Sequence, residues 1–180
     1  RVGVAGQVAF PLAEGTYFTP DGPGAKGASD ADLAYLPLTH LSGWIRYGVE
    51  DYLEVQGIVH IPTFTILLGI KMGLVGQSID DPFGLALVLD GGASLAFLNP
   101  AYGASLVSTV ALGHEVALDL SARFGALSGL WAAPSLTTMV GVSIGRKEVI
   151  RVGLGASWSV GPEASESVPA LVLVAGWETP

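Results

Sequence analysis

The sequence predicts an all-β fold: an antiparallel up-and-down transmembrane β-barrel of about ten strands, with about eight as the alternative. Apolar residues alternate with small or polar residues, at a period of two, in one segment after another. Mean hydropathy is +0.55 and 13% of residues are charged, against roughly 25% in soluble domains. Glycine, serine, threonine or a charge interrupts every apolar stretch, which disfavours a membrane-spanning helix of about 18 apolar residues.

Alternation is clearest in residues 52–61 and 64–74, where large apolar side chains fill every second position. Successive side chains of a strand point to opposite faces, so both segments are predicted strands. Residues 2–10 place valines opposite glycine and alanine. Residues 34–47 form the next predicted strand, in which Trp44 falls on the polar side and fits the pattern least well.

The second half of the chain repeats the pattern, with leucine, valine and isoleucine alternating against alanine, glycine, serine and single charges. Its predicted strands cover residues 84–97, 102–112, 115–124, 131–144, 150–158 and 170–177. Turn residues separate the strands, with a long Pro- and Gly-rich loop at 11–32, a tight turn at 48–51, a polar connection at 76–83, Asn99-Pro100, a hairpin at Gly113-His114, Arg146-Lys147 and an acidic loop at 161–167. We expect a single domain over residues 1–180.

The two faces of these strands differ in a way that indicates lipid on the outside. One face collects Leu, Val, Ile and Phe, and the other collects Gly, Ala, Ser and Thr with one or two charges per strand. A soluble barrel would carry many Lys and Glu on its second face, whereas an inverted barrel accounts for both faces. Aromatic residues near strand ends fit interfacial belts, although they could also cap a core, namely Tyr47, Phe97, Tyr102, Phe124, Trp158 and Trp177.

Two segments carry a resemblance to a known class. The stretches at 46–55 and at 68–72 form a hairpin pattern that recurs in small barrels, and the last strand ends at Trp177 before Glu178-Thr-Pro180. In these features the chain resembles the small, porin-like β-barrel proteins of bacterial outer membranes. The resemblance implies a periplasmic start of the first strand, extracellular loops at 11–32 and 161–167, and contact with outer-membrane lipid. The sequence begins at Arg1 without Met, and we expect that a signal peptide has been removed to give this mature form.

Ionisable and polar residues on the inward face are the candidate lumen-lining residues: Arg46, Glu54, Gln56, Lys71, Asp90, Glu115, Asp119, Arg123 and Arg151. Charged groups that face a lumen either pair with one another or line a water path. A salt-bridged plug and a selectivity ring are therefore both open. We predict that Lys71, Arg123 and Arg151 each lie near an inward acid such as Glu54, Asp90 or Asp119.

Catalytic, metal and cofactor signatures are weak. His40, His60 and His114 are scattered, and neither Gly-x-Ser-x-Gly nor His-Glu-x-x-His occurs, so we predict no catalytic residues and no cofactor. The first loop is acidic through Glu14, Asp21, Asp30 and Asp32, but the spacing is not that of a calcium loop. We interpret it as a solvated loop and predict no metal site.

Charge and composition narrow the partners. A net charge of −8 makes nucleic acid a poor partner, and one Asn with three Gln suggests a thermophile. The expected function is non-enzymatic: a narrow passive pore for small ions or solutes, or a structural and anchoring component with an envelope or surface-layer protein as partner. The alternatives are a soluble β-barrel that binds a ligand and an outer-membrane enzyme.

Overall fold

A computed structural model describes residues 1–11, 38–61, 64–76, 81–95, 99–126, 134–145, 148–159 and 170–179. These residues form ten strands: β1 (Val2–Pro11), β2 (Leu38–Glu50), β3 (Leu53–Ile61), β4 (Thr65–Val75), β5 (Phe83–Ser94), β6 (Asn99–Ala111), β7 (Val116–Ala126), β8 (Ser135–Ile144), β9 (Val149–Ser159) and β10 (Ala170–Thr179). Each strand pairs antiparallel with its neighbours in sequence, and β1 pairs with β10 to close the barrel. The predicted fold class is confirmed, with ten strands rather than eight.

Two predicted turns are wrong. The chain continues as β2 through Gly48 to Glu50, with a register shift between them, and turns at Asp51-Tyr52 instead. A glycine permits such a bulge without ending the strand. Asn99-Pro100 lies inside β6, paired with the end of β5, because a residue before proline is itself held in an extended conformation.

Two strand ends also differ from the prediction. β5 ends at Ser94, and Phe97 lies outside the described residues. β10 continues past Trp177 to Thr179, which brings Glu178 into the wall. Residues 34–37 and 131–133, the long loop after β1, Arg146-Lys147 and the acidic loop at 161–167 lie outside the part of the chain that the structure describes.

The outer face of the barrel is its apolar face. Along β4, Leu68 is 70% exposed while the preceding residue, Leu67, is fully buried. The same alternation continues through Ile70 and Lys71, of which the apolar residue is the more exposed. Large apolar side chains on the outside and small or polar ones inside are typical of a barrel whose surroundings are lipid.

Exposed aromatic residues lie near both ends of the wall. Those near the end at which β1 begins are Tyr47, Tyr52, Phe83 and Trp177. Those near the opposite end are Phe64, Tyr102, Phe124 and Trp158. Two such girdles are typical of membrane barrels, where amphipathic rings settle at the interfaces.

The two ends of the barrel differ in their connections. At the end where β1 begins and β10 finishes, here called the terminal mouth, the strands are joined by residues 51–52, 76–82, 112–115 and 145–148. At the opposite end, here called the loop mouth, residues 12–37, 62–64, 95–98, 127–134 and 160–169 join them. The three longest of these segments, 12–37, 127–134 and 160–169, all lie at the loop mouth. None of the residues described forms a helix long and apolar enough to cross a membrane.

Candidate lumen site

An arginine crosses the inner wall near the middle of the barrel. Arg123 on β7 donates to both carboxylate oxygens of Asp90 on β5, with Nη–Oδ distances of 2.6 and 2.7 Å, and to Ser105 Oγ at 3.2 Å. Its guanidinium lies over Gly103 on the intervening β6, where any Cβ would overlap it. A two-point contact of this kind fixes the side chain as well as pairing its charge.

A second ion pair lies closer to the terminal mouth. Lys71 Nζ is 3.1 Å from Glu54 Oε2, and the two residues are direct cross-strand partners on β4 and β3. Gln56, one inward position further along β3, is 6% exposed, and its amide lies beside Gly69. Lys71 and Arg123 thus each lie beside one of the acids named in the prediction, Glu54 and Asp90.

Arg151 pairs with a different acid from the ones named in the prediction. Glu178 on β10 is 3% exposed, and three arginines surround its carboxylate. Its Oε2 lies 3.2 Å from Arg46 Nη1 and 3.3 Å from Arg151 Nη1, while Oε1 lies 3.7 Å from Arg1 Nη1. We refer to Arg1, Arg46, Arg151 and Glu178 as the arginine cluster.

Trp44 is an inward residue, in agreement with its place on the polar side of the predicted strand. It is the cross-strand partner of Gly3, and its indole ring occupies the space that a Cβ at Gly3 would need. Arg46 Cζ lies 5.5 Å from the ring centroid, within the range of a cation–π contact. The indole ring of Trp44 therefore packs against the inner wall next to the arginine cluster.

Asp119 and Glu115 have different surroundings from the paired acids. Asp119 on β7 accepts a hydrogen bond of 2.9 Å from Thr109 Oγ1 on β6. The sequence predicted Glu115 as an inward residue of the same strand, whereas β7 begins one residue later, at Val116. The residue precedes β7 in the connection after Leu112 and is exposed at the terminal mouth, because the hairpin takes up two more residues than the Gly113-His114 turn.

Neutral hydrogen bonds complete the inner wall. Ser42 Oγ lies 2.7 Å from His60 Nδ1, and Thr137 Oγ1 lies 2.8 Å from Ser157 Oγ. Both are pairs between directly opposed residues on neighbouring strands. Over the described ranges, no group of three His, Asp or Glu residues is arranged to hold a metal ion.

Several inward side chains near the loop mouth are inaccessible to solvent. Thr65, Leu67, Ser94 and Val172 are fully buried, and Ala101 is 2% exposed. By contrast, the side chains of Arg46, Lys71 and Arg123 retain 20–29% exposure. Water therefore reaches these three charged side chains and not the buried residues on β4, β5, β6 and β10.

Sequence reasoning missed Glu178 and the cluster around it. The prediction ended the last strand at Trp177, although Gly176 inward, Trp177 outward and Glu178 inward continue the alternation without a break. That continued alternation was the available signal. The gathering of Arg46 and Arg151 depends on the pairing of β10 with β1, which no local pattern specifies.

Comparison with known proteins supports the fold alone. No protein family matches the chain by sequence, and no curated protein does. Among solved structures, a NanC porin in a rhombohedral crystal form matches with a TM-score of 0.53, 6% sequence identity and coverage of 100% of both chains. The chain thus has a porin-like β-barrel fold, and the resemblance to small porin-like barrels holds at that level.

Proposed function

We propose that the protein is a non-enzymatic, narrow passive pore of the bacterial outer membrane, which conducts small ions or solutes. The observation that carries this proposal is the distribution of charge: the ion pairs of Arg46, Lys71 and Arg123 lie on the inner face, inside a wall whose outer face is apolar. Water-reachable charges inside a closed barrel favour an aqueous path over a dry plug.

The expected path is constricted. Barrels of about eight strands are filled by side chains, whereas those of about 16 leave an open channel. Ten strands with an arginine spanning β7 to β5 leave a small cross-section. We therefore expect small single-channel steps in planar bilayers, and they should grow when Arg123 and Asp90 are both replaced by serine.

A second candidate function is anchoring, favoured by the fully buried inward side chains of Thr65, Leu67, Ser94 and Val172 near the loop mouth. In that role the barrel is a closed membrane element, and a surface-layer or other envelope protein binds its loops. Absence of conductance in the unmodified protein and in the Asp90→Ser/Arg123→Ser variant, with both correctly folded, would favour anchoring over the pore.

The soluble and enzymatic alternatives have tests of their own. A soluble ligand-binding barrel would stay monodisperse without detergent, whereas the 35 exposed large apolar side chains among the described residues predict precipitation. For an enzyme with a serine nucleophile, the described part of the chain offers the Ser42–His60 contact. Failure of a fluorophosphonate probe to label the folded protein, and unchanged conductance of Ser42→Ala, are expected for a pore.

A further inference from the structure

Within this proposed pore, we infer that the arginine cluster at the terminal mouth is a binding site for a small free oxyanion, such as sulfate, phosphate or a carboxylate. In this cluster three guanidinium groups surround one carboxylate, and each lies within 3.7 Å of it. It is therefore a local surplus of positive charge in a chain whose net charge is −8. The inference rests on the pore only in so far as the interior is open to water at this end.

The carboxylate of Glu178 does not occupy all the N–H donors of the arginines around it. A guanidinium has five N–H donors, yet Arg46 makes a single side-chain hydrogen bond within the described structure, to Glu178 Oε2 at 3.2 Å. Arg151 approaches the same oxygen at 3.3 Å. Two planar forks that share one carboxylate oxygen leave their remaining edges free to bind a second oxyanion.

Unsatisfied buried donors occur at this cluster. In the part of the chain that is described, three buried side-chain polar atoms have no hydrogen-bond partner, namely Trp44 Nε1, Arg46 Nε and Arg151 Nε. All three are donors, and none is an acceptor. Buried donors without partners are costly, and a bound anion is one of the few species that accepts from several of them together.

The neighbouring ion pairs do not offer the same chemistry. Arg123 has both nitrogens on the two oxygens of Asp90, and Lys71 is matched one to one with Glu54. In each of these two pairs, one cation neutralises one acid. Among the inward charged groups described, the arginine cluster is thus the one in which cations outnumber acids.

Access and selectivity follow from the position of the cluster. The side chains of Arg46 and Arg151 are 20% and 40% exposed, so water and small solutes reach them, whereas Glu178 is 3% exposed. Exposed acids at the terminal mouth, among them Glu50, Asp51, Glu115 and Glu148, are screened by salt over about 8 Å. Oxyanions are favoured over chloride because they accept several directed hydrogen bonds.

The test is sulfate titration of the purified protein in detergent without phospholipid, by calorimetry and by thermal unfolding at constant ionic strength. The unmodified protein is expected to bind sulfate saturably. Arg46→Gln and Arg151→Gln are each expected to lower the affinity at least about tenfold, since each removes charge-assisted hydrogen bonds. Arg123→Gln is the matched control: it removes an inward arginine of the barrel wall outside the cluster and is expected to leave the affinity unchanged.

Glu178→Gln is the variant with the opposite sign. Removing the carboxylate that competes for the arginines is expected to raise sulfate affinity and to make thermal stability more dependent on sulfate. General salting effects of sulfate act on all variants alike, so only differences among them count. If a glutamine variant does not fold, Arg46→Lys and Arg151→Lys keep the charge, lose the planar fork, and are expected to bind more weakly.

Three results would overturn the inference: no saturable sulfate binding by the unmodified protein, equal binding by Arg46→Gln and Arg123→Gln, or weaker binding by Glu178→Gln. Conductance is not part of this readout. Sulfate binding without any conductance would therefore reject the pore and keep the anion site, whereas conductance without sulfate binding would do the reverse.

Discussion

Arg123 on β7 donates to both carboxylate oxygens of Asp90 on β5. The guanidinium can reach them only because Gly103, on the strand between them, has no side chain. The carboxylate is fully buried, whereas the arginine side chain keeps 29% exposure. The two partners of this pair are therefore not equivalent. The arginine can still be hydrated when Asp90 is removed, whereas the carboxylate cannot be hydrated when Arg123 is removed.

That asymmetry predicts unequal losses of stability. Arg123→Gln leaves a buried, unpaired carboxylate and is expected to lower the free energy of unfolding by about 3–5 kcal/mol. Asp90→Asn leaves an arginine that reaches water, and the expected loss is nearer to about 1 kcal/mol. Urea unfolding in lipid vesicles measures both. Equal losses would mean that the arginine is not hydrated.

Gly3 is expected to tolerate no side chain because Trp44 covers it. Gly3→Ala forces the indole ring to move, and it is expected to cost about 1–3 kcal/mol and to shift the tryptophan emission. Gly6→Ala is the control on the same strand, since nothing lies within 4 Å of a Cβ there. A neutral Gly3→Ala with unchanged emission would contradict the placement of Trp44.

The outer position of Leu68 predicts a penalty for charge. Leu68→Arg, at 70% exposure on the apolar face, is expected to block insertion or to cost about 2–4 kcal/mol. Ser121→Lys, on the inner face between Asp119 and Arg123 in sequence, should cost less because its ammonium can meet Asp119. Gly69→Ser is unsuitable as a control, since a Cβ there would lie 2.6 Å from the carbonyl oxygen of Leu89.

Ion selectivity is expected to depend on the wall and not on the long loop. Among the residues that the structure describes, Asp119 accepts a hydrogen bond from the Thr109 hydroxyl and forms no ion pair, so Asp119→Asn removes a carboxylate that no described cation neutralises. We expect the permeability ratio of chloride to potassium to rise in planar bilayers. Deletion of residues 20–26 should leave the ratio nearly unchanged. A change on deletion, with none for Asp119→Asn, would assign the constriction to the loop.

The sequence specified the strands because large apolar side chains outside and small ones inside impose a period of two on every segment. The same alternation placed Lys71 opposite Glu54, a pair that follows from a single hairpin. It could not specify the arginine cluster, whose members come from β2, β9, β10 and the residue before β1. Which strands close the barrel, and in which register, is decided by pairing over the whole chain.

The seam at which β1 meets β10 imposes an order on assembly. Every other strand pair joins neighbours in sequence, so hairpins can form as the chain emerges, whereas the seam waits for the last strand. The contact between Glu178 and Arg46 spans the seam and joins residues 132 positions apart. Because pairing of residues so distant in sequence closes a long loop, we expect the seam to form late and slowly. A chain cut before β10 would keep two open edges, on β1 and β9, and each would recruit a strand from another molecule.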